Sequence, residues 1–218
     1  MKLRSFTWAG LAAVLVMLCL PAQAASPLDD LIKPEQGSSA CFTRVYEAAH
    51  LRAHPRQKTA AMTVWLKYEP IGSGVQGIAL NVALGITQRG DTAAQFSEGG
   101  CEFNDRANRD TSNNHLIKTY PKEAGHVCLQ SARPDVFDSV SAEEGGSLIL
   151  DRGKDRDTLM VYLNDSLTMV KRVNRNKLLN TKFGTDDRVF LLRRTDMKDC
   201  AVVIEAVIEP EPGVRRRR

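Results

Sequence analysis

Glu47, His50 and His54 are the residues whose types and spacing could hold a metal, at i, i+3 and i+7. On one continuous helix the three share a face and offer an ion two imidazoles and a carboxylate. The set is incomplete, because Pro55 crowds the last turn and no fourth ligand adjoins it. His115 and His126 could join only if the fold brought them near. The plainer reading, which we prefer, is an amphipathic surface helix with a histidine near its C-terminus. There the helix dipole favours the cationic ring.

Other chemistry is thinner. The chain contains no Gly-x-Ser-x-Gly elbow and no Ser-x-x-Lys dyad. Glu143-Glu144 and Asp186-Asp187 are adjacent carboxylates, but neighbours on a strand point to opposite faces and do not make an acid/base pair. Gly72-Ser73-Gly74 and Gly99-Gly100 lack the lysine and helix of a phosphate loop and read as turns. Arg89-Gly90-Asp91 falls between two alternating segments, where Gly-Asp is ordinary turn chemistry rather than an adhesion motif. We assign no catalytic residue and no cofactor.

Cysteine usage points to an oxidising compartment. Setting aside Cys19, four remain: Cys41, Cys101, Cys128 and Cys200. None stands in a Cys-x-x-Cys pair, so a redox or zinc-ribbon motif is disfavoured and two disulfides are expected. Four cysteines allow three connectivities. We favour the nested one, Cys101–Cys128 inside Cys41–Cys200. The inner pair flanks a polar segment, and the outer pair would tie the two ends of the domain together.

The first residues agree with that address. Lys2 and Arg4 precede an apolar run from Trp8 to Leu20, Pro21 breaks it, and Ala22-Gln23-Ala24 supplies a small-x-small cleavage pattern. The run is 13 residues long, against the roughly 20 a spanning helix needs. Residues 1–24 are thus expected to be a signal peptide of the bacterial kind. The mature chain would be periplasmic or secreted, with no transmembrane segment.

Charge excludes one partner class. Formal net charge is +4, but Lys2 and Arg4 leave with the leader and Arg215–Arg218 supply four more positives. The remaining body is −2, and aromatic residues make up only 6% of the chain. With both signs mixed and few rings to stack on bases, a nucleic-acid partner is not expected. An envelope or protein partner is, and nothing in the sequence specifies an oligomeric state.

The elements that must position these groups are mostly strands. Residues 25–40 read as a linker, and 43–54 as a short helix capped by Thr43 and stopped at Pro55. Met62, Val64, Leu66 and Tyr68 alternate with polar or outward residues. So do Ile78, Leu80, Val82, Leu84 and Ile86, across a Gly-rich loop, which predicts an antiparallel hairpin. Further strands are expected near 93–97, 127–130, 147–151, 158–164, 167–170, 188–193 and 201–208. The last of these rests on Val202, Ile204, Ala206 and Ile208 at every second position. Residues 104–124 read as a long polar loop and 210–218 as a disordered Arg-rich tail. The segment 98–106 matches 144–152 at five of nine positions, which a duplicated β-unit or, more plainly, repeated use of Gly-Gly before a strand would explain.

The expected architecture is all-β, a mainly antiparallel sandwich or partly open barrel of about eight to ten strands, over residues 41–209. The function read from these features is a non-enzymatic, exported binding module of unknown ligand. The alternatives are a metal-dependent hydrolase using His50 and His54, and a structural envelope protein.

Overall fold

The computed structural model describes residues 26–71, 77–104, 125–131, 145–171 and 174–208. The segments expected to be a leader, a polar loop after Asn104, a Gly72–Gly74 turn and an Arg-rich tail lie outside the described residues, as does the Glu143-Glu144 pair.

The two clearest alternating segments form β2 (Thr59–Pro70) and β3 (Ile78–Gln88), paired antiparallel from Thr59↔Gln88 to Pro70↔Ile78. Met62, Val64, Leu66, Leu80, Val82, Leu84 and Ile86 are all buried on one side, as period-two placement requires. The remaining strands are β1 (Ser39–Val45), β4 (Gln95–Asn104), β5 (Gly125–Ser131), β6 (Ser147–Arg152) and β7 (Thr158–Leu163), then β8 (Ser166–Lys171), β9 (Asn174–Lys182) and β10 (Val189–Thr195). Every pairing is antiparallel. The order β3-β2-β1-β10-β7-β6-β5-β4 returns to β3 through Leu80↔Cys101 to Ile86↔Gln95, closing an eight-stranded barrel. The mainly antiparallel expectation holds, but the sheet is a closed barrel instead of a sandwich. The hairpin β8–β9 attaches to it at Gln95 and Phe96.

An eight-stranded barrel has an interior just wide enough for side chains to fill. Here Phe42, Phe190, Leu84, Leu148, Leu150, Leu159 and Leu163 fill it, each essentially without exposure. Both ends are stoppered. At the end where β2 finishes, a 3-10 turn (Pro27–Asp30) capped by Ser26 drives Leu28, Leu31 and Ile32 into the core. Residues 26–38 are therefore part of the barrel, not the expected linker. Leu28, Leu31 and Ile32 are too apolar to stay in water when an open barrel end adjoins them. At the other end Leu167 and Met169 of β8 and Phe183 after β9 join the same core.

Three expectations give way to tertiary context. The expected helix over 43–54 is only α1 (Ala48–Ala53), with Glu47 and not Thr43 at its N-cap. Thr43 belongs to β1, held between β2 and β10. The expected strand over 201–208 is the helix α2 (Ala201–Ile208), following a 3-10 turn at Met197–Cys200. Val203 and Ala206, three apart, face inward while Val202 is half exposed, so the period is helical. Gly99 and Gly100 lie inside β4 and are not turns. A Cβ on Gly99 would stand 1.9 Å from the Leu129 carbonyl oxygen, so only glycine lets β4 and β5 pair there.

The helix α2 straps the outside of the barrel. Cys200 bonds Cys41 on the outer face of β1, while Val203 and Ala206 pack on Trp65, Ala83 and Phe96. A Cβ on Gly85 would meet Val203 at 2.8 Å, so the strand surface is hollowed to admit the helix. The second bridge, Cys101–Cys128, links directly opposed residues of β4 and β5. By loop-closure entropy, bridges spanning 159 and 27 residues stabilise by about 5 and about 3.5 kcal/mol.

Two measurements check this frame. Thiol labelling of denatured, unreduced protein is expected to modify none of the four cysteines, with peptide maps giving Cys41–Cys200 and Cys101–Cys128. Gly99→Ala is expected to lower stability by about 2–3 kcal/mol or more through overpacking. Gly100→Ala, whose nearest outside atom would be 3.9 Å away, should cost far less. Equal urea midpoints for the two variants would contradict the β4–β5 register.

Candidate functional site

The Glu47–His54 segment sits at the hairpin end of the barrel, between β1 and β2. Three rings stack there: Tyr46 on His50 at 4.7 Å between centroids, and His50 on His54 at 4.3 Å. The Arg44 guanidinium lies 5.1 Å from the Tyr46 ring, and Phe190 tilts against it from β10. Burial raises the Tyr46 hydroxyl above its usual value; Arg44 opposes the shift and Asp187 adds to it.

Gln57 fixes His50. Its amide nitrogen donates to the Thr59 carbonyl at 2.8 Å, so its oxygen faces His50 and accepts from Nε2 at 3.0 Å. With the proton thus placed on Nε2, Nδ1 is the acceptor. The two imidazole planes are only 28° apart. Their lone pairs lie in those planes and run side by side, whereas ligands about 2.0–2.1 Å from one zinc must converge. Among the described residues no three His, Cys, Asp or Glu side chains gather around a point where an ion could sit. The structure brings His50 and His54 together as a stack, and does not assemble Glu47, His50 and His54 as a ligand set. His126 is at the opposite end.

Asp187 is the residue sequence spacing missed. It is wholly buried, and its carboxylate accepts the backbone N–H groups of Lys58 (2.7 Å), Thr59 (3.0 Å) and Gly184 (2.9 Å). This carboxylate holds the start of β2 to the loop before β10. Its neighbour Asp186 turns outward to Arg56 at 3.4 Å. The available signal was Gly184-Thr185-Asp186-Asp187, turn chemistry in which a carboxylate bonds nearby backbone. Arg89 and Asp91 are likewise engaged. The Arg89 guanidinium caps the carbonyls of Leu51 and Pro55, and Asp91 pairs with Lys171 at 3.3 Å.

At the other end His126 faces inward beside the first stopper. The Ser26 hydroxyl lies 3.4 Å from its Nδ1, and Phe103 packs on the ring at 5.3 Å between centroids. Burial lowers its pKa to about 4.

On the outer face two surfaces stand out. Val127, Ile149, Tyr162 and Val189 are direct cross-strand neighbours over β5, β6, β7 and β10, with Leu191 and Leu129 exposed beside them. Beyond α2, Trp65, Lys67, Glu69, Asn81 and Val207 line an open groove. Lys67 pairs with Glu69 and sits 5.5 Å from the Trp65 ring, and Trp65 Nε1 has no hydrogen-bond partner among the described residues.

Comparisons of the chain with known protein families, with characterised proteins and with solved structures return no match.

Two outcomes follow from these side chains. Asp187→Asn is expected to destabilise by about 2–3 kcal/mol, the scale of hydrogen bonds to a charged group, measured by urea unfolding. His126 carries a pH dependence. Its folded pKa of about 4 lies below the unfolded value near 6.5, so its contribution is complete above pH 6.5 and falls away as the pH drops toward 4. The full span is on the order of 3 kcal/mol. His126→Phe should flatten that part of the stability profile, and an unchanged slope would place the imidazole in water.

Proposed function

We propose that the chain is an exported, non-enzymatic binding module whose recognition surfaces lie on the outside of the barrel. The observation that carries this reading is the filled and stoppered interior. Most lumen-facing side chains are buried and apolar, joined on β4 and β5 by the buried Gln95, Ser97, His126 and Gln130, and 26–32 and β8–β9 occupy the two ends. A barrel so packed offers a small ligand no entry, whereas its outer wall exposes Leu129, Val189 and Leu191 around the half-buried Val127 and Tyr162 and the buried Ile149. Isolated exposed apolar residues are ordinary, but several on one wall are a mark of contact. Both disulfides fit an oxidising compartment, and among the described residues no helix is long and apolar enough to cross a membrane.

The test is cellular. The protein is expected outside the cytoplasm with Ala25 as its first residue. A photoreactive side chain replacing Leu191 should give a discrete higher-mass adduct in intact cells, and one replacing exposed Glu35, beside the end of β2, should not. Intact Met1 in the cytoplasm, or no adduct at Leu191, would overturn the proposal.

A further inference from the structure

The hairpin end of the barrel concentrates positive charge that the whole-chain balance conceals. From Ser166 to Lys182 the sequence has five basic residues and no acidic one, and from Arg44 to Lys58 four basic residues stand against Glu47 alone. The fold puts these two segments on one rim. Gln88 at the end of β3 donates its side-chain amide to the Lys182 carbonyl at 3.3 Å, and the next residue, Arg89, donates its backbone N–H to the Lys58 carbonyl at 2.6 Å. Gly184 approaches the Arg56 carbonyl so closely that a Cβ there would lie 2.0 Å from the oxygen. Arg52, Arg56, Lys58, Arg89, Lys177 and Lys182 are all exposed around that rim.

The carboxylates nearby are mostly taken. Asp187 is buried under three backbone N–H groups, Asp186 pairs with Arg56, Asp91 with Lys171, and Asp165 with Arg188. Among the described residues no carboxylate lies within ion-pair distance of Arg52, Lys58, Lys177 or Lys182. Glu47 is the one exposed acid of α1 and its flanks. The same end also exposes two aliphatic side chains: Leu178, half exposed on the outward side of β9 with Lys182, and Val45, 73% exposed at the end of β1.

We propose that this rim docks on an anionic phospholipid surface, with Lys58 and Lys182 against the phosphates and Leu178 entering the headgroup boundary. Free cations interspersed with exposed aliphatic groups suit an interface that is charged outside and apolar within. A nucleic-acid surface is the other polyanion. It favours aromatic platforms for unpaired bases and leaves no use for Leu178. The inference stands on charge placement and is independent of the apolar row on β5, β6, β7 and β10.

Co-sedimentation of the mature full chain with vesicles decides it. Equal parts of phosphatidylglycerol and phosphatidylcholine should bind, phosphatidylcholine alone should not, and added salt should weaken binding. Each Lys or Arg near such a surface is worth about fivefold in partitioning. Lys58→Ser with Lys182→Ser should therefore weaken binding about 25-fold. Neither side chain makes a hydrogen bond or ion pair among the described residues, so the unfolding midpoint should not move. Leu178→Ser should weaken binding further. Lys154→Ser with Arg193→Ser, outside this rim, should change nothing. Replacing Arg215–Arg218 by serine separates the tail from the rim: retained binding supports the rim, and complete loss overturns it. Equal sedimentation with phosphatidylcholine, an unaffected Lys58/Lys182 double variant, or capture by duplex DNA but not by anionic vesicles would also overturn it.

Discussion

The pairing of β3 with β4 is the constraint on which the rest of the molecule depends. It turns a run of hairpins into a closed barrel, and closure places Leu80–Ile86 opposite Leu148–Leu163 across one core. To do this β4 pairs on one edge with β3 and on the other with β8 and then β5. Three partners crowd one strand, and Gly99 is where the crowding is greatest. Once the barrel is closed, its size dictates a solid interior, and a solid interior needs stoppers because apolar side chains otherwise meet water at the mouths. The Leu28–Ile32 segment and the β8–β9 hairpin supply them. The outer bridge then follows: Cys41 must point outward because Ala40 and Phe42 point in, so its partner arrives on a helix laid over the wall.

Legibility in the sequence tracked how local the cause was. Strands β2 and β3 were legible because one face meets the core and the other meets water or the strap. The nested disulfides were legible because four cysteines, with Cys19 set aside, leave only three pairings and the outer two bracket the domain. β9 was not, since Asn-Arg-Asn-Lys shows no alternation at a rim, where Thr181 is the buried residue among the described side chains of the strand. Residues 201–208 carry Val, Ile and Ala at spacings compatible with either period. What selects helix is distant: the anchor at Cys200 and the hollow over Gly85. The 43–45 segment is strand because β2 pairs along all of it and β10 holds Thr43 from the other side, pairings that local composition does not encode.

The candidate site shows the same division. The spacing of His50 and His54 correctly put them side by side on one face. It did not reveal that Tyr46 and Gln57 would engage His50 and leave a ring stack instead of converging ligands. The rim cations were invisible to net charge, because a body of −2 hides a local excess that only the fold gathers at one end. Arg52 and Lys58 are far from Lys182 in the chain, and the two segments meet through Gln88 and Arg89.

Native-state hydrogen exchange tests closure most directly. If β3 and β4 pair as described, the amides they direct at each other, between Leu80–Ile86 and Gln95–Cys101, should exchange as slowly as those joining β6 to β7, through global unfolding. Fast exchange confined to the β3–β4 seam would mean an open sheet with two edges. The solid lumen, and the assignment of recognition to the outer surface, would then fall with it.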